Sequence, residues 1–288
     1  MSQVWAVFGY ELRRNLTPWR IGAWLALVSF PVVIVLLVRF QGEIVTNMPR
    51  STIDTVWSVL FYMLIPCVCC ALGVFLNAAP AIATELEQRS WVYLATRPHG
   101  VVCLLLGKYL LAVVWGVTAA VVSVTLVTLL IGFDPLFTAA APGTFGNDSG
   151  IGQRVQWMAR IWFTMIRLCL LSSVAYGALY LLIGALFPRR AMVFCVAYTG
   201  VVEVILSLIP ANINRLTVQY RLRSLMINWA EPEGQKEIRG NAFFRHVFAE
   251  GGNPEQILWL LLLTVVFLSA ALAVARASEF TGASESDV

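Results

Sequence analysis

Charged side chains are scarce in this sequence. Aspartate, glutamate, lysine and arginine make up 12% of the 288 residues, whereas hydrophobic residues make up 59%. A soluble globular domain typically carries about 25% charged residues, so this chain lacks the polar side chains needed to cover a water-facing surface. The composition therefore predicts an all-α integral membrane protein. The net charge of +4, scattered over loops, argues against nucleic acid binding and is typical of membrane proteins.

Groups that carry out catalysis are also rare. The sequence has no G-x-x-x-x-G-K-[ST] phosphate loop, so the chain does not bind a nucleotide through that motif. The two histidines, His99 and His246, lie in predicted loops. No Ser/His/Asp set and no pair of intramembrane carboxylates can be assembled at plausible depth. We therefore expect a protein that is not an enzyme and has no cofactor or metal of its own.

The six cysteines lie in or beside apolar runs, where a disulfide would have little effect: Cys67, Cys69, Cys70, Cys103, Cys169 and Cys195. The Cys67-x-Cys69-Cys70 cluster has thiols that could select a soft metal. Buried packing within a helix is the alternative interpretation. We favour packing, because no histidine or methionine at ligand spacing completes a metal site.

The first residues predict an amphipathic helix over 1–19. Its apolar face carries Val4, Trp5, Phe8, Leu12, Leu16 and Trp19, at mostly four-residue steps. Glu11, Arg13 and Arg14 lie on the opposite, charged side. The segment is too polar to span a bilayer, so we expect it to lie along the inner membrane interface. Since no cleavage site follows, the first apolar run is expected to remain as an anchor.

Six apolar runs approach the roughly 20 residues that a bilayer requires. They lie at about 21–38, 57–79, 104–131, 162–187, 191–210 and 256–275, and we treat 1–288 as one transmembrane domain. The basic turn at Arg189 and Arg190 favours a cytoplasmic position. We predict a multi-pass protein of the cell inner (plasma) membrane with both termini in the cytoplasm.

The long loop at 211–255 then lies outside and carries a short amphipathic helix. Its apolar residues are Leu222, Leu225, Met226 and Trp229. We expect this helix either to rest on the outer interface or to dip inward and cap the protein.

Within the predicted spans, Glu203 and Asn77 are the polar candidates for a site. Glu203 is deeply placed, where a charge is costly and indicates function by default. It either lines a path or a subunit seam, or is a locally hydrogen-bonded carboxyl in a packed interior. Asn77 is predicted to bond a neighbouring helix rather than to bind a ligand.

The connection between the second and third runs is unusual for its mixture of charge and apolar bulk. It begins with Glu85 and Glu87 and continues through Trp91 and Leu94, which lie three residues apart on one helical face. Pro98 ends this segment sharply, because proline cannot continue a helix. Such an amphipathic segment is able to fill a groove in a soluble partner.

Here the sequence resembles the membrane-spanning permease subunits of type-2 ABC transporters. The matching positions are Glu85 and Glu87, then Leu94-Ala95-Thr96-Arg97-Pro98, then Leu106-Gly107-Lys108-Tyr109. The order of these pieces, the interfacial helix, the six spans and the long loop before the last span all fit that layout. Arg89-Ser90 and Val92 depart from the family pattern, which affects particular ion pairs with a partner but not the contact as a whole.

The resemblance implies a permease that couples a translocation path to ATP hydrolysis on separate cytoplasmic subunits, with ATP and Mg bound by those partners. It implies a second permease chain, identical or a sister, and a path or seam lined by the second and fifth spans. Segment 85–100 becomes a cytoplasmic coupling helix, with its partner contacts at Glu85, Glu87, Arg89, Trp91, Leu94, Arg97 and Pro98.

Two alternatives remain at this stage, a secondary transporter or channel and a membrane anchor subunit that transports nothing. The apolar spans are compatible with lipids, hydrophobic drugs, peptides or polymers as the substrate of an exporter.

Overall fold

The computed structural model describes residues 2–40, 50–88, 90, 91, 93, 96, 99–132, 149–205, 214, 217–230 and 252–278. Regular structure in these segments is helical throughout. The glycines and prolines at 133–160 predict an irregular loop; residues 133–148 of it lie outside the described residues, whereas 149–160 are helical, which corrects that prediction. The last residues of the predicted fifth span and most of the loop at 211–255 also lie outside the described residues.

The α-helices of the described segments are α1 (Ser2–Asn15), α2 (Pro18–Phe40), α3 (Arg50–Tyr62), α4 (Cys70–Ala78), α5 (Ala83–Glu87), α6 (Gly100–Gly132), α7 (Ser149–Leu186), α8 (Ala191–Tyr198), α9 (Val218–Ala230) and α10 (Asn253–Ala277). A wider π-helical turn at Met63–Cys69 joins α3 to α4 around Pro66. A second one, Thr199–Ile205, continues α8. Proline inside a helix removes one backbone donor, and a π-helical turn is one way in which a helix accommodates that loss.

Five stretches are long and apolar enough to cross a membrane within the part of the chain that the structure describes. They are Pro18–Val38, Thr55–Glu87, Gly100–Ile131, Val155–Leu186 and Asn253–Ala277. They overlap five of the six predicted spans, and the prediction of an all-α, multi-pass membrane protein is confirmed at this level. The predicted fifth span, 191–210, is described only as far as Ile205, which is short of a full crossing.

Helix α7 lies at the centre of the bundle, against α4, α6, α9 and α10. Close approach depends on small residues, as is usual between membrane helices. A Cβ on Gly184 would lie 2.6 Å from the carbonyl oxygen of Ala79. A Cβ on Gly73 would lie 3.0 Å from the Cα of Gly116. These glycines let backbones touch where any side chain would separate the helices.

Helix α9 comes from the segment predicted to be an outer loop, and its residues from Val218 to Ile227 are buried. Thr199 and Glu203 contact the side chains of Tyr180 and Tyr176 on α7. Further along, the hydroxyl of Thr164 on α7 donates to the carbonyl oxygen of Trp229 on α9, over 3.3 Å. Helices α8 and α9 therefore run antiparallel to α7.

Together α8 and α9 lie along much of the length of α7. Between Tyr180 and Thr164 the rise along α7 is about 24 Å at 1.5 Å per residue, most of the thickness of a hydrocarbon core. The described part of the loop helix is buried against α7. Gln219 and Arg221 find polar partners and an aromatic ring inside the bundle.

Helix α1 packs against the first turns of α6. A Cβ on Gly107 would lie 2.7 Å from Cγ1 of Val7, so this glycine forms the seat for α1. The predicted faces of α1 need correction, because Glu11 and Asn15 are buried while Trp5 and Leu16 are exposed. The acid turns inward because it has a cationic partner there, Lys108, which the apolar pattern does not reveal.

Candidate functional site

A buried ion cluster holds together the two ends of the segment that connects the second and third spans. Nζ of Lys108 lies 2.5 Å from Oε1 of Glu85 and donates to the carbonyl oxygen of Ala81 over 2.8 Å. Glu11 of α1 places its Oε1 3.7 Å from the same Nζ. Lys108, Glu85 and Glu11 are all buried. We call these three residues the ion cluster.

Ser90 extends the ion cluster into the connecting segment. Its hydroxyl donates to Oε2 of Glu85 and its backbone N–H donates to the carbonyl oxygen of Glu85 over 3.1 Å. Each oxygen of the buried carboxylate therefore has a donor, Lys108 on one side and Ser90 on the other. A buried charge is tolerated when it is paired and hydrogen-bonded in this way.

The predicted coupling residues divide between inward and outward positions. Trp91 is 5% exposed and packs in the protein's own core beside Ile82, Leu104 and Leu105. The spacing of Trp91 and Leu94 predicted that the indole would face a partner, but the indole is buried in this chain. Glu87 and Tyr93 point outward, and Tyr93 is 75% exposed.

Four of the predicted coupling residues lie outside the described residues: Arg89, Leu94, Arg97 and Pro98. Thr96, within the predicted turn, is exposed and its hydroxyl donates to the carbonyl oxygen of Tyr93 over 3.0 Å. The connecting segment is thus fixed to the bundle by Glu85 and Trp91, and it presents Glu87, Tyr93 and Thr96.

Glu203 lies in the second candidate region, at the start of α9. The side chain is 1% exposed. Its two oxygens accept the backbone N–H groups of Val218 over 3.2 Å and of Gln219 over 2.9 Å. The first N–H groups of a helix have no partner within it, and a carboxylate there also faces the positive end of the helix dipole. Glu203 therefore caps α9 from a different helix.

A chain of hydrogen bonds connects this cap to the second span. Tyr62 donates to Oε1 of Gln219 over 2.6 Å, Nε2 of Gln219 donates to the hydroxyl of Tyr176 over 2.7 Å, and that hydroxyl donates to Oε2 of Glu203 over 3.3 Å. The thiol of Cys67 also donates to Oε1 of Gln219, over 3.0 Å. We call these five residues the polar relay. Of the two predicted roles for Glu203, the geometry matches the hydrogen-bonded carboxyl in a packed interior.

Two further predicted polar features are local. Nδ2 of Asn77 donates to the carbonyl oxygen of Gly73, four residues earlier in its own helix, over 3.4 Å. The sequence predicted a bond to a neighbouring helix, but this bond lies within a single helix. The thiols of Cys69 and Cys70 contact the carbonyl oxygens of Leu27 and Cys169 over 3.7 Å.

The cysteines form no disulfide, and no group of three or more metal-binding side chains occurs among the described residues. Cys67, Cys69 and Cys70 thus make separate contacts with different parts of the bundle. The packing interpretation of this cluster accounts for those contacts.

The first turn of α9 is also held by an arginine between aromatic rings. The guanidinium carbon of Arg221 lies 5.5 Å from the ring centre of Tyr220 and 5.3 Å from that of Trp259. Its Nη1 donates to Oε1 of Gln256 over 2.6 Å. Sequence reasoning missed Gln256 and the relay residues Tyr62, Tyr176 and Gln219. A tyrosine or glutamine in an apolar run is one signal of a buried hydrogen bond, but it does not name the partner.

These helices define the class of the protein: a multi-pass, α-helical membrane protein with one buried ion cluster and one buried polar relay. Comparison of the chain with protein-family models, with curated proteins and with solved structures found no match.

Proposed function

We propose that the chain is the permease subunit of an ABC transporter, an exporter in which a cytoplasmic ATP-binding subunit docks on the connecting segment. One observation carries the proposal: a short segment between two membrane helices is fixed at its base and exposed at its tip. Glu85 and Trp91 provide the base, while Glu87, Tyr93 and Thr96 provide the outward surface.

The ion cluster gives this segment a mechanical role. Lys108 lies early in the third span, Glu85 lies near the end of the second, and Glu11 belongs to α1. A push on the tip of the segment is transmitted to three helices, because all three meet at one ammonium group. This is what a permease requires to convert closure of its ATP-binding partners into movement of membrane helices. The partners carry ATP and Mg, and two permease chains, identical or sister, complete the assembly.

The first experiment tests the docking surface with a fold-preserving variant. We expect E87A/Y93A to reduce Mg-ATP hydrolysis by the affinity-purified, reconstituted complex at least several-fold, with normal yield of the permease itself. The matched control is R160A, an exposed residue of α7 far from the connecting segment. The chain has no phosphate loop of its own, so any hydrolysis belongs to a partner. Equal hydrolysis by E87A/Y93A and the control would contradict the docking assignment.

The second experiment tests the side of the membrane. A cysteine replacing Thr96, which is exposed, is expected to react with a membrane-impermeant maleimide only in inside-out vesicles. A cysteine replacing the exposed Gly252, at the start of α10, is expected to react only in right-side-out vesicles. The reverse pattern would place the connecting segment outside the cell and end the ABC permease proposal.

A secondary transporter is the second candidate, and the arrangement of α8 and α9 along α7 favours it. Half-helices that meet at mid-depth form the ion and substrate sites of many secondary transporters, and Glu203 lies where these two meet. The distinguishing measurement is transport by the purified chain alone in liposomes under an ion gradient. Transport without ATP supports this candidate, whereas transport only with an ATP-binding partner supports the first.

A further inference from the structure

The outward face of α1 combines aromatic and basic side chains. Trp5 is 63% exposed and Tyr10 67%, and Arg13 between them on the helix surface is also exposed. Trp19, at the start of α2, is 86% exposed. The opposite face, with Val7 and Glu11, is turned to the bundle.

The fold separates the charges of this region by sign. The sequence of α1 contains one acid and two bases, Glu11, Arg13 and Arg14. Glu11 is buried beside Lys108, 3.7 Å away, and Nη1 of Arg14 lies 4.0 Å from the same carboxylate. The exposed surface of α1 therefore keeps Arg13, followed at the first turn of α2 by the half-buried Arg20, while the acid of α1, Glu11, is buried.

This surface continues directly into a membrane-spanning helix. Pro18–Val38 begins three residues after α1 ends, so α1 lies at the height where the bilayer begins. Tryptophan and tyrosine prefer the interface between headgroups and hydrocarbon, and arginines near an anionic membrane surface are attracted to it.

We propose that the outward face of α1 and the first turn of α2, with Trp5, Tyr10, Arg13, Trp19 and Arg20, binds anionic lipid headgroups in preference to zwitterionic ones. The aromatic rings set the depth of α1 in the membrane interface, and the two arginines favour negatively charged headgroups. This inference is independent of the transport proposal, because it requires only that the chain spans a membrane.

The test uses the full chain in detergent, equilibrated with an equal mixture of phosphatidylglycerol and phosphatidylcholine, with bound lipids counted by native mass spectrometry. We expect the wild type to be enriched in phosphatidylglycerol. R13Q/R20Q is expected to lower that enrichment several-fold, and R13K/R20K to keep it, because the surface recognises charge.

The control is R160Q, which removes an exposed arginine from the opposite end of the bundle. Helix α6 begins beside the last turns of α7, so Arg160, near the first turns of α7, is remote from α1. We expect R160Q to leave the enrichment close to that of the wild type. An undiminished enrichment in R13Q/R20Q, an equal loss in R160Q, or a loss in R13K/R20K would each overturn the proposal. Matching thermal unfolding curves for all variants exclude a general loss of structure.

Discussion

Nζ of Lys108 lies 2.5 Å from Oε1 of Glu85, although the two residues are separated by the whole connecting segment. The pair closes that segment into a loop and makes the start of one span depend on the end of another.

Removal of the lysine leaves two buried carboxylates without their cation. We expect K108M to lower the free energy of unfolding by about 3 to 5 kcal/mol, as is typical when one partner of a buried ion pair is lost. Thermal unfolding in detergent, followed by circular dichroism, measures the change. K108M/E85M/E11M is expected to recover most of the loss, because three apolar side chains need no charge compensation. R276M, at an exposed position near the end of α10, serves as the control, and an equal loss in it would contradict the role of the pair.

The seat for α1 at Gly107 is expected to tolerate no side chain. G107A places a methyl group 2.7 Å from Cγ1 of Val7, and such overpacking costs about 1 to 3 kcal/mol. We expect α1 to loosen, with faster backbone amide exchange over Ser2–Asn15 measured by mass spectrometry. G9A is the matched control, because a Cβ there has no neighbour within 4 Å. Cβ of Val7 would itself lie 2.9 Å from the added methyl group, so V7A/G107A is expected to restore slow exchange only in part. Equal exchange in G107A and G9A would contradict the role of Gly107.

Glu203 is expected to stabilise α9 through its hydrogen bonds to the helix N-terminus rather than through the packing of its side chain. E203L leaves the N–H groups of Val218 and Gln219 without acceptors, at a cost of about 1 to 3 kcal/mol for each buried group. Amide exchange over Val218–Ala230 is expected to accelerate more than exchange over α10. E203Q, which keeps one acceptor oxygen, is expected to lie between E203L and the wild type. E87L replaces an exposed acid and controls for the loss of charge; similar exchange in E203L and E87L would contradict the capping role.

The polar relay is expected to behave as a coupled unit. Y62F and Y176F each remove one hydroxyl that contacts Gln219. A net loss of about 1 kcal/mol is usual for one such bond. In a double-mutant cycle with Q219L, we expect the effects of Y62F and Q219L to be non-additive, because both remove the same bond. Additive unfolding free energies would show that the two side chains do not depend on each other.

The membrane class and five of the crossings could be predicted from the sequence, because apolar runs of sufficient length have one stable location. The position of α9 could not be predicted. Its segment is as polar as a loop, and its burial depends on Glu203, Tyr176 and Gln256, which are distant in sequence. Periodicity shows that a segment is amphipathic but does not show what lies opposite it.

For the candidate sites too, the sequence indicated some residues but not the contacts that they make. The sequence indicated Glu203 as the deeply placed acid, and the family resemblance indicated the segment around Glu85. The pairing of Lys108 with both Glu85 and Glu11 depends on how α1 packs against α6. Trp91 was expected to face a partner because it lies three residues before Leu94 on one helical face, yet the core between Ile82 and Leu105 accepts it. A side chain of that size buries more apolar area than any other nearby residue, so the fold takes it inward.

The bond from Arg221 to Gln256 has a consequence for biogenesis. The arginine is synthesised before the glutamine and the Trp259 ring that receive it. Until α10 has been synthesised, the guanidinium lacks its contacts with Gln256 and Trp259. The first turn of α9 therefore reaches its final packing only after the last helix has joined the bundle.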